Sequence, residues 1–156
     1  MTAKPIPDGY HTATPYLSIS GAKDAIEFYK LAFGATEVFC MGTPTGEVAH
    51  AEIRIGDSQI MLGEACEDSP MPSPDTLGGS TVAVHLYVED VDAMFEQAID
   101  AGALDIKSVE DQFYGDRMGT LKDPFGHIWF VSTHIEDLTP EEIQQRAEAM
   151  FSQQND

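Results

Sequence analysis

The chain has 156 residues, 42% of them hydrophobic and 22% charged, enough for one well-buried domain or two small halves sharing a core. Its 27 acidic residues against 8 lysines and arginines leave a formal net charge of −19, a surface that repels phosphate backbones and anionic lipid and argues against nucleic-acid and membrane partners. There is no apolar run near the roughly 20 residues of a membrane helix, no signal-peptide core in MTAKPIPDGYH and no CxxC spacing, so Cys40 and Cys66 are expected as reduced thiols in a cytoplasmic protein, Cys40 as a small core residue.

TATPYLSI (12–19) alternates, with Ala13, Pro15, Leu17 and Ile19 on one face and Thr12, Thr14, Tyr16 and Ser18 on the other, which predicts a half-buried strand starting near a proline. GAKDAIEFYKLAFGA then sets Ala25, Ile26, Tyr29 and Phe33 at helical spacing, with Gly34 as the stop. TEVFCM, EVAHAEIRIG and SQIMLG read as three strands separated by GTPTG and GD turns. Residues 10–63 therefore form a βαβββ unit.

Residues 64–80, EACEDSPMPSPDTLGGS, are rich in Pro, Ser, Gly and acid and read as a linker or lid. The element order then repeats over 81–135. TVAVHLYV is a strand with Val82, Val84, Leu86 and Val88 on a packed face, EDVDAMFEQAIDAGA a helix stopped at Gly102, and LDIKSV, DRMGTLKD and HIWFVST are strands. Gly115, Gly119 and Gly126 read as turn and bulge residues, His127 as a support of its turn, and Asp116 with Arg117 as a local pair. Over 136–156, LTPEEIQQRAEAMF has a helix start at Thr139, Pro140 and Glu142 and needs a surface to pack on.

Four segments, TPYLSISGAKDAIEFYKLAFGA, EVAHAEIRIGDSQIMLG, VHLYVEDVDAMFEQAIDAGA and YGDRMGTLKDPFGHIWFVSTH, resemble in this order the vicinal oxygen chelate superfamily of glyoxalases, bleomycin-resistance proteins and extradiol dioxygenases, and within it the PhnB-like branch. The resemblance implies an α+β fold in which two tandem βαβββ units form a half-open barrel around a concave cavity, plus a C-terminal helix, in a chain that pairs as a homodimer. It also implies a place for metal ligands on the first and last strand of each unit. By spacing from the shared segments, these places fall at Thr14, Met61, Ala83 and Phe130, side chains that offer a divalent cation no imidazole or carboxylate. No metal or other cofactor is therefore expected.

Strand alternation supplies the rest of the cavity. With Ala49, Ala51, Ile53 and Ile55 packed, His50, Glu52 and Arg54 face inward; so do His85 and Tyr87, and on the last strand Ile128, Phe130, Ser132 and His134. The candidate ligand-binding residues are thus Thr14, Tyr16, His50, Glu52, Met61, His85, Tyr87 and Phe130, a mixture suited to a small aromatic or amphipathic molecule. The alternatives are an enzyme, a glyoxalase-type lyase or isomerase or a dioxygenase, using one divalent metal on a displaced site of His50, Glu52 and His85, and an interaction protein with a vestigial pocket. The sequence has no GxSxG elbow and no phosphate-binding loop.

Overall fold

The computed structural model describes residues 2–155. The chain runs β1 (Tyr16–Ile19), α1 (Ala22–Phe33), β2 (Thr36–Gly42), β3 (Val48–Ile55), β4 (Ser58–Glu64), then a one-turn helix α2 (Pro74–Leu77), then β5 (Ala83–Tyr87), α3 (Val91–Ala101), β6 (Leu104–Asp111), β7 (Asp116–Lys122), β8 (Ile128–His134) and α4 (Pro140–Gln154). Among the described residues the strands form two four-stranded sheets, β1-β4-β3-β2 and β5-β8-β7-β6. In each, the first strand pairs parallel with the last and the remaining pairs are antiparallel. The sheets do not close into a barrel, so the expected half-open α+β architecture with a C-terminal helix is the one found.

The packed side follows from the alternation. Ala51, Ile53, Ile60 and Leu62 lie buried in the first sheet with Ala25, Ile26, Tyr29 and Phe33 of α1; Leu121, Trp129 and Val131 in the second with Val91, Phe95 and Ala98 of α3. Each such aliphatic side chain contributes about 1.5–3 kcal/mol of burial. The two helices also pack on each other, which fuses the units into one core. Gly34 and Gly102 end their helices in the left-handed region, at φ 67° and 120°. At its start α1 has Gly21 instead of a capping side chain, and the carboxylate of Glu64, at the end of β4, accepts from the Gly21 and Ala22 amides at 2.9 and 2.8 Å.

The DPFG turn joins the units. Buried Asp123 accepts from the Tyr29 hydroxyl (2.6 Å), the Trp129 indole (2.9 Å) and the Phe125 and His127 amides (both 2.9 Å). The imidazole of His127 reaches past its turn to the carbonyl of Ser18 on β1, 3.2 Å away.

Several expectations are corrected. β1 starts at Tyr16 rather than at 12, because parallel pairing with β4 begins at Tyr16 opposite Met61. Ala49 is exposed and Val48 buried: a bulge opposite Met41 and Gly42 leaves Ala49 unpaired and reverses the alternation there. Val82 precedes β5 and is 69% exposed, not packed under a helix. Cys40 is exposed because β2 is an edge strand with all seven residues exposed; both cysteines are free. Arg117 pairs with Asp92 and Asp111 rather than with Asp116. Gly119 sits inside β7, where a Cβ would come within 2.5 Å of the Phe95 ring; it clears space for α3.

The linker is docked. Ser73 and Pro74 are buried, the Ser18 hydroxyl donates to the Met71 carbonyl at 2.6 Å, and Pro74 lies over Gly126. α4 begins with the expected capping box at Thr139 and Glu142, and its Arg146 donates to the Phe113 carbonyl and to Glu136.

Candidate functional site

On the open face of the first sheet, register sets Tyr16, Met61, Glu52 and Phe39 abreast across β1-β4-β3-β2. His50, two residues before Glu52, links that row: its Nδ1 lies 3.1 Å from the Tyr16 hydroxyl and its Nε2 3.2 Å from Glu52 Oε1. Tyr16 donating to Nδ1, with Nε2–H donating to the carboxylate, satisfies both contacts with one neutral tautomer. Residues 5–12 cross this face as an N-terminal arm. They enclose a recess of about 430 Å³ lined by Pro5, Ile6, Pro7 and Tyr10 of the arm together with Thr14, Glu52 and Met61. The Tyr10 hydroxyl is buried there beside Glu52, close enough to act on its carboxylate but short of full hydrogen-bond geometry with any described residue. Burial first, and Glu52 second, push its pKa up to about 12. The Tyr10 hydroxyl in turn holds Glu52 below the ordinary carboxylate value, with His50 adding to the effect and burial opposing it.

The second sheet carries a different cluster. His85 lies beside Phe130, and Tyr87 beside Ser132. His85 Nε2 is 2.8 Å from Ser132 Oγ, and its ring stacks on Tyr87 at 4.7 Å. Tyr87 donates to Asp116 Oδ2 at 2.7 Å; Asp116 Oδ1 meets His134 Nδ1 at 2.7 Å; His134 Nε2 meets Asp137 at 2.8 Å. Burial penalises the Asp116 carboxylate, but the hydrogen bonds from His134 and Tyr87 outweigh it and keep its pKa below the ordinary value. The hydrogen bond to Asp116, then burial, raises that of Tyr87.

Between the sheets, where β1 faces β5, a cavity of about 570 Å³ opens. Its walls include Pro15, Leu17, Ala83, Val84 and Ile128 from the strands and Met71, Pro72, Pro74 and Leu77 from the linker. Its polar side chains are those of Tyr16, Ser18, Ser80, Thr81, His85 and His127, and among the described residues its lining holds no carboxylate, lysine or arginine. A smaller cavity of about 190 Å³ adjoins it, sharing Pro15, Val84 and His85 with the larger one and His11 and Thr14 with the arm recess.

The eight candidate residues are therefore distributed rather than gathered around one hollow. Tyr16 and His85 line the seam cavity, and Thr14, Glu52 and Met61 the arm recess. His50 bridges from Tyr16 to Glu52, and Tyr87 and Phe130 stand beside His85 outside these linings. Sequence reasoning missed Tyr10, and it read residues 64–80 as a linker or lid without naming Met71, Pro72, Pro74 and Leu77 as the wall. The PMPSP run signals a stiff loop, which suits a wall, but nothing local says which strands it covers.

The places where the resemblance puts metal ligands hold Thr14, Met61, Ala83 and Phe130, and this donor set does not fit a divalent cation. The displaced set does not assemble either: His50 and Glu52 meet, whereas His85 is engaged with Ser132 on the other sheet. Among the described residues there is no group of three or more His, Cys, Asp or Glu side chains placed to hold a metal ion.

Comparison with known proteins agrees with the fold. A family model described as the Glyoxalase/Bleomycin resistance protein/Dioxygenase superfamily matches residues 11–131. An uncharacterized Mycobacterium bovis protein, Mb0911c, is 40% identical over 147 residues, covering 92% of this chain and 93% of its own. The crystal structure of the Arabidopsis thaliana At5g48480 product superposes with a TM-score of 0.65 at 26% identity, over 79% of this chain and 98% of that one. A PhnB protein from Bacillus cereus superposes with a TM-score of 0.62 at 16% identity, over 79% and 99%, a likeness of fold.

Proposed function

The chain belongs to the Glyoxalase/Bleomycin resistance protein/Dioxygenase superfamily, and we propose that it is a PhnB-like member that binds a small, flat, largely apolar molecule in the seam cavity without using a metal. The observation that carries this reading is the character of that cavity. On a protein of net charge −19, a hollow of about 570 Å³ is walled by proline, methionine and aliphatic side chains, with the imidazoles of His85 and His127, the Tyr16 phenol and the hydroxyls of Ser18, Ser80 and Thr81 as its polar groups. That is the composition of a site that sequesters an aromatic ring and orients it with one or two hydrogen bonds. His85 is held for such a contact by Ser132 and by stacking on Tyr87.

Exposed apolar side chains support homodimer formation as part of the same reading. Val38, Phe39 and Met41 on β2 and Leu104 and Ile106 on β6 are each about half exposed along sheet edges.

The test is a thermal-shift panel of neutral bicyclic aromatics, run with and without a chelator. A ligand at about 100 times its Kd adds about 2.7 kcal/mol to stability, and the shift is expected to survive chelation. A panel that moves nothing sinks the binding reading. The rival reading, a metal-dependent lyase, isomerase or dioxygenase, is supported by the His50–Glu52 contact. It requires stoichiometric metal in the purified protein, lost together with activity in His85→Ala.

A further inference from the structure

We infer that the recess beneath the N-terminal arm is a second binding site, separate from the seam cavity, that takes the protonated amine of a small organic cation between Glu52 and Tyr10. The inference does not rest on the seam reading. Glu52 presents one oxygen to His50, and its carboxylate is met by no lysine or arginine among the described residues. Beside it lies the buried Tyr10 hydroxyl. With no such cation on the carboxylate, and with the phenol short of a full hydrogen bond, an ammonium group, with three donors, can serve both oxygens at once.

The remaining walls say what the amine is attached to. Pro5, Ile6 and Pro7 of the arm and Met61 of β4 offer an apolar surface, and Thr12 and Thr14 add hydroxyls at the edge. The lining includes His11 but, among the described residues, neither lysine nor arginine. Lys4 is paired with Asp8 at 2.7 Å, and Arg54 packs beside Gly9 outside the lining. An anionic ligand would meet Glu52 uncompensated, and a neutral one would leave its charge without a partner. At about 430 Å³ the recess suits an amine carrying one ring or a short branched chain. Gly9, at φ +83°, makes the turn that lays the arm against Gln59 and forms the roof.

Isothermal titration at low salt with phenethylamine, and with 2-phenylethanol as its neutral counterpart, tests this. The amine is expected to bind at least about tenfold more tightly than the alcohol, because a charge-assisted hydrogen bond of about 1.5–3 kcal/mol separates them. Glu52→Gln should erase that difference and Tyr10→Phe should reduce it several-fold. Glu67→Gln, which removes the same charge from an exposed linker position, should leave it intact. Ala83→Trp, which fills the seam cavity, should also leave amine binding unchanged, so failure of either site is seen without the other. Equal affinity for amine and alcohol overturns the proposal, and so does equal weakening by Glu52→Gln and Glu67→Gln. If Glu52→Gln does not fold, Tyr10→Phe decides: undiminished amine preference in that variant overturns the site.

Discussion

The Tyr29 hydroxyl on α1 donates a 2.6 Å hydrogen bond to Asp123, 94 residues away in the other unit, and both side chains are buried. Burial first, then the charge and the hydrogen bond of Asp123, raise the phenol well above its ordinary pKa, so it remains a donor at all ordinary pH. Tyr29→Phe is expected to cost about 1.5–3 kcal/mol, the range for a hydrogen bond to a charged group. Asp123→Ala should cost more, upward of about 3 kcal/mol, since it also strands the Trp129 indole and two turn amides. Urea unfolding reads both; midpoints equal to that of the parent would show that this junction is not what holds the units together.

The same residues show what the sequence could and could not reveal. The periodicity around Tyr29 and the alternation around Trp129 place each in its own element, because burial on one face is a local signal. That Tyr29 and Trp129 share Asp123 is a long-range fact, and DPFG alone reads only as a turn. Likewise Glu52 was legible as an inward residue of β3, whereas Tyr10 falls in an arm without periodicity and its position over Glu52 depends on the tertiary path. The reversal at Ala49 fails for a related reason: one unpaired residue, invisible to a period-two pattern, turns the strand over.

Gly126 couples the DPFG turn to the linker. It sits at φ +95°, and a Cβ there would come within 2.7 Å of the Pro74 Cβ. Gly126→Ala is expected to destabilise by about 1–3 kcal/mol through backbone strain and overlap, and to make residues 64–80 more readily cleaved in limited proteolysis. A cleavage rate equal to the parent's would mean that Pro74 does not anchor the linker.

His134 gives stability a pH signature. Hydrogen bonds to Asp116 and then Asp137 raise its pKa above the ordinary 6.5. A raised histidine contributes stability that is complete below the unfolded value of 6.5 and fades as pH rises through the folded value. Asp116 works in the opposite sense: its contribution is present above the ordinary 3.8 and is lost as pH falls through its depressed value. The melting-temperature difference between the parent and His134→Gln should therefore be largest near about pH 5.5 and shrink toward about pH 9. A difference that is flat across this range would show that the imidazole charge has no part in holding β7, β8 and Asp137 together.

The seam cavity can be closed from within. Ala83 opens β5 and lines the cavity, so Ala83→Trp puts an indole where the ligand ring is proposed to lie. Aromatic ligands that stabilise the parent should lose essentially all their thermal shift in this variant, while its own melting temperature stays within a few degrees of the parent's, a change of about 1 kcal/mol or less. Undiminished shifts would place the binding elsewhere.

The proposed pairing between copies would set an apolar attraction against a large like charge. Val38, which the β2–β3 register skips, and Phe39, paired with Glu52, are both about half exposed on the edge strand β2, all seven residues of which are exposed. Two copies each carrying a net charge of −19 repel one another over a Debye length of about 10 Å at 0.1 M salt and about 3 Å at 1 M. Burial of apolar surface does not weaken with added salt. Dimer formation, followed by sedimentation equilibrium, should therefore strengthen as salt rises, and Phe39→Glu together with Ile106→Glu should abolish it by placing charges on the buried patch. A dimer that dissociates on adding salt would mean that ion pairs, rather than these edges, hold the copies together.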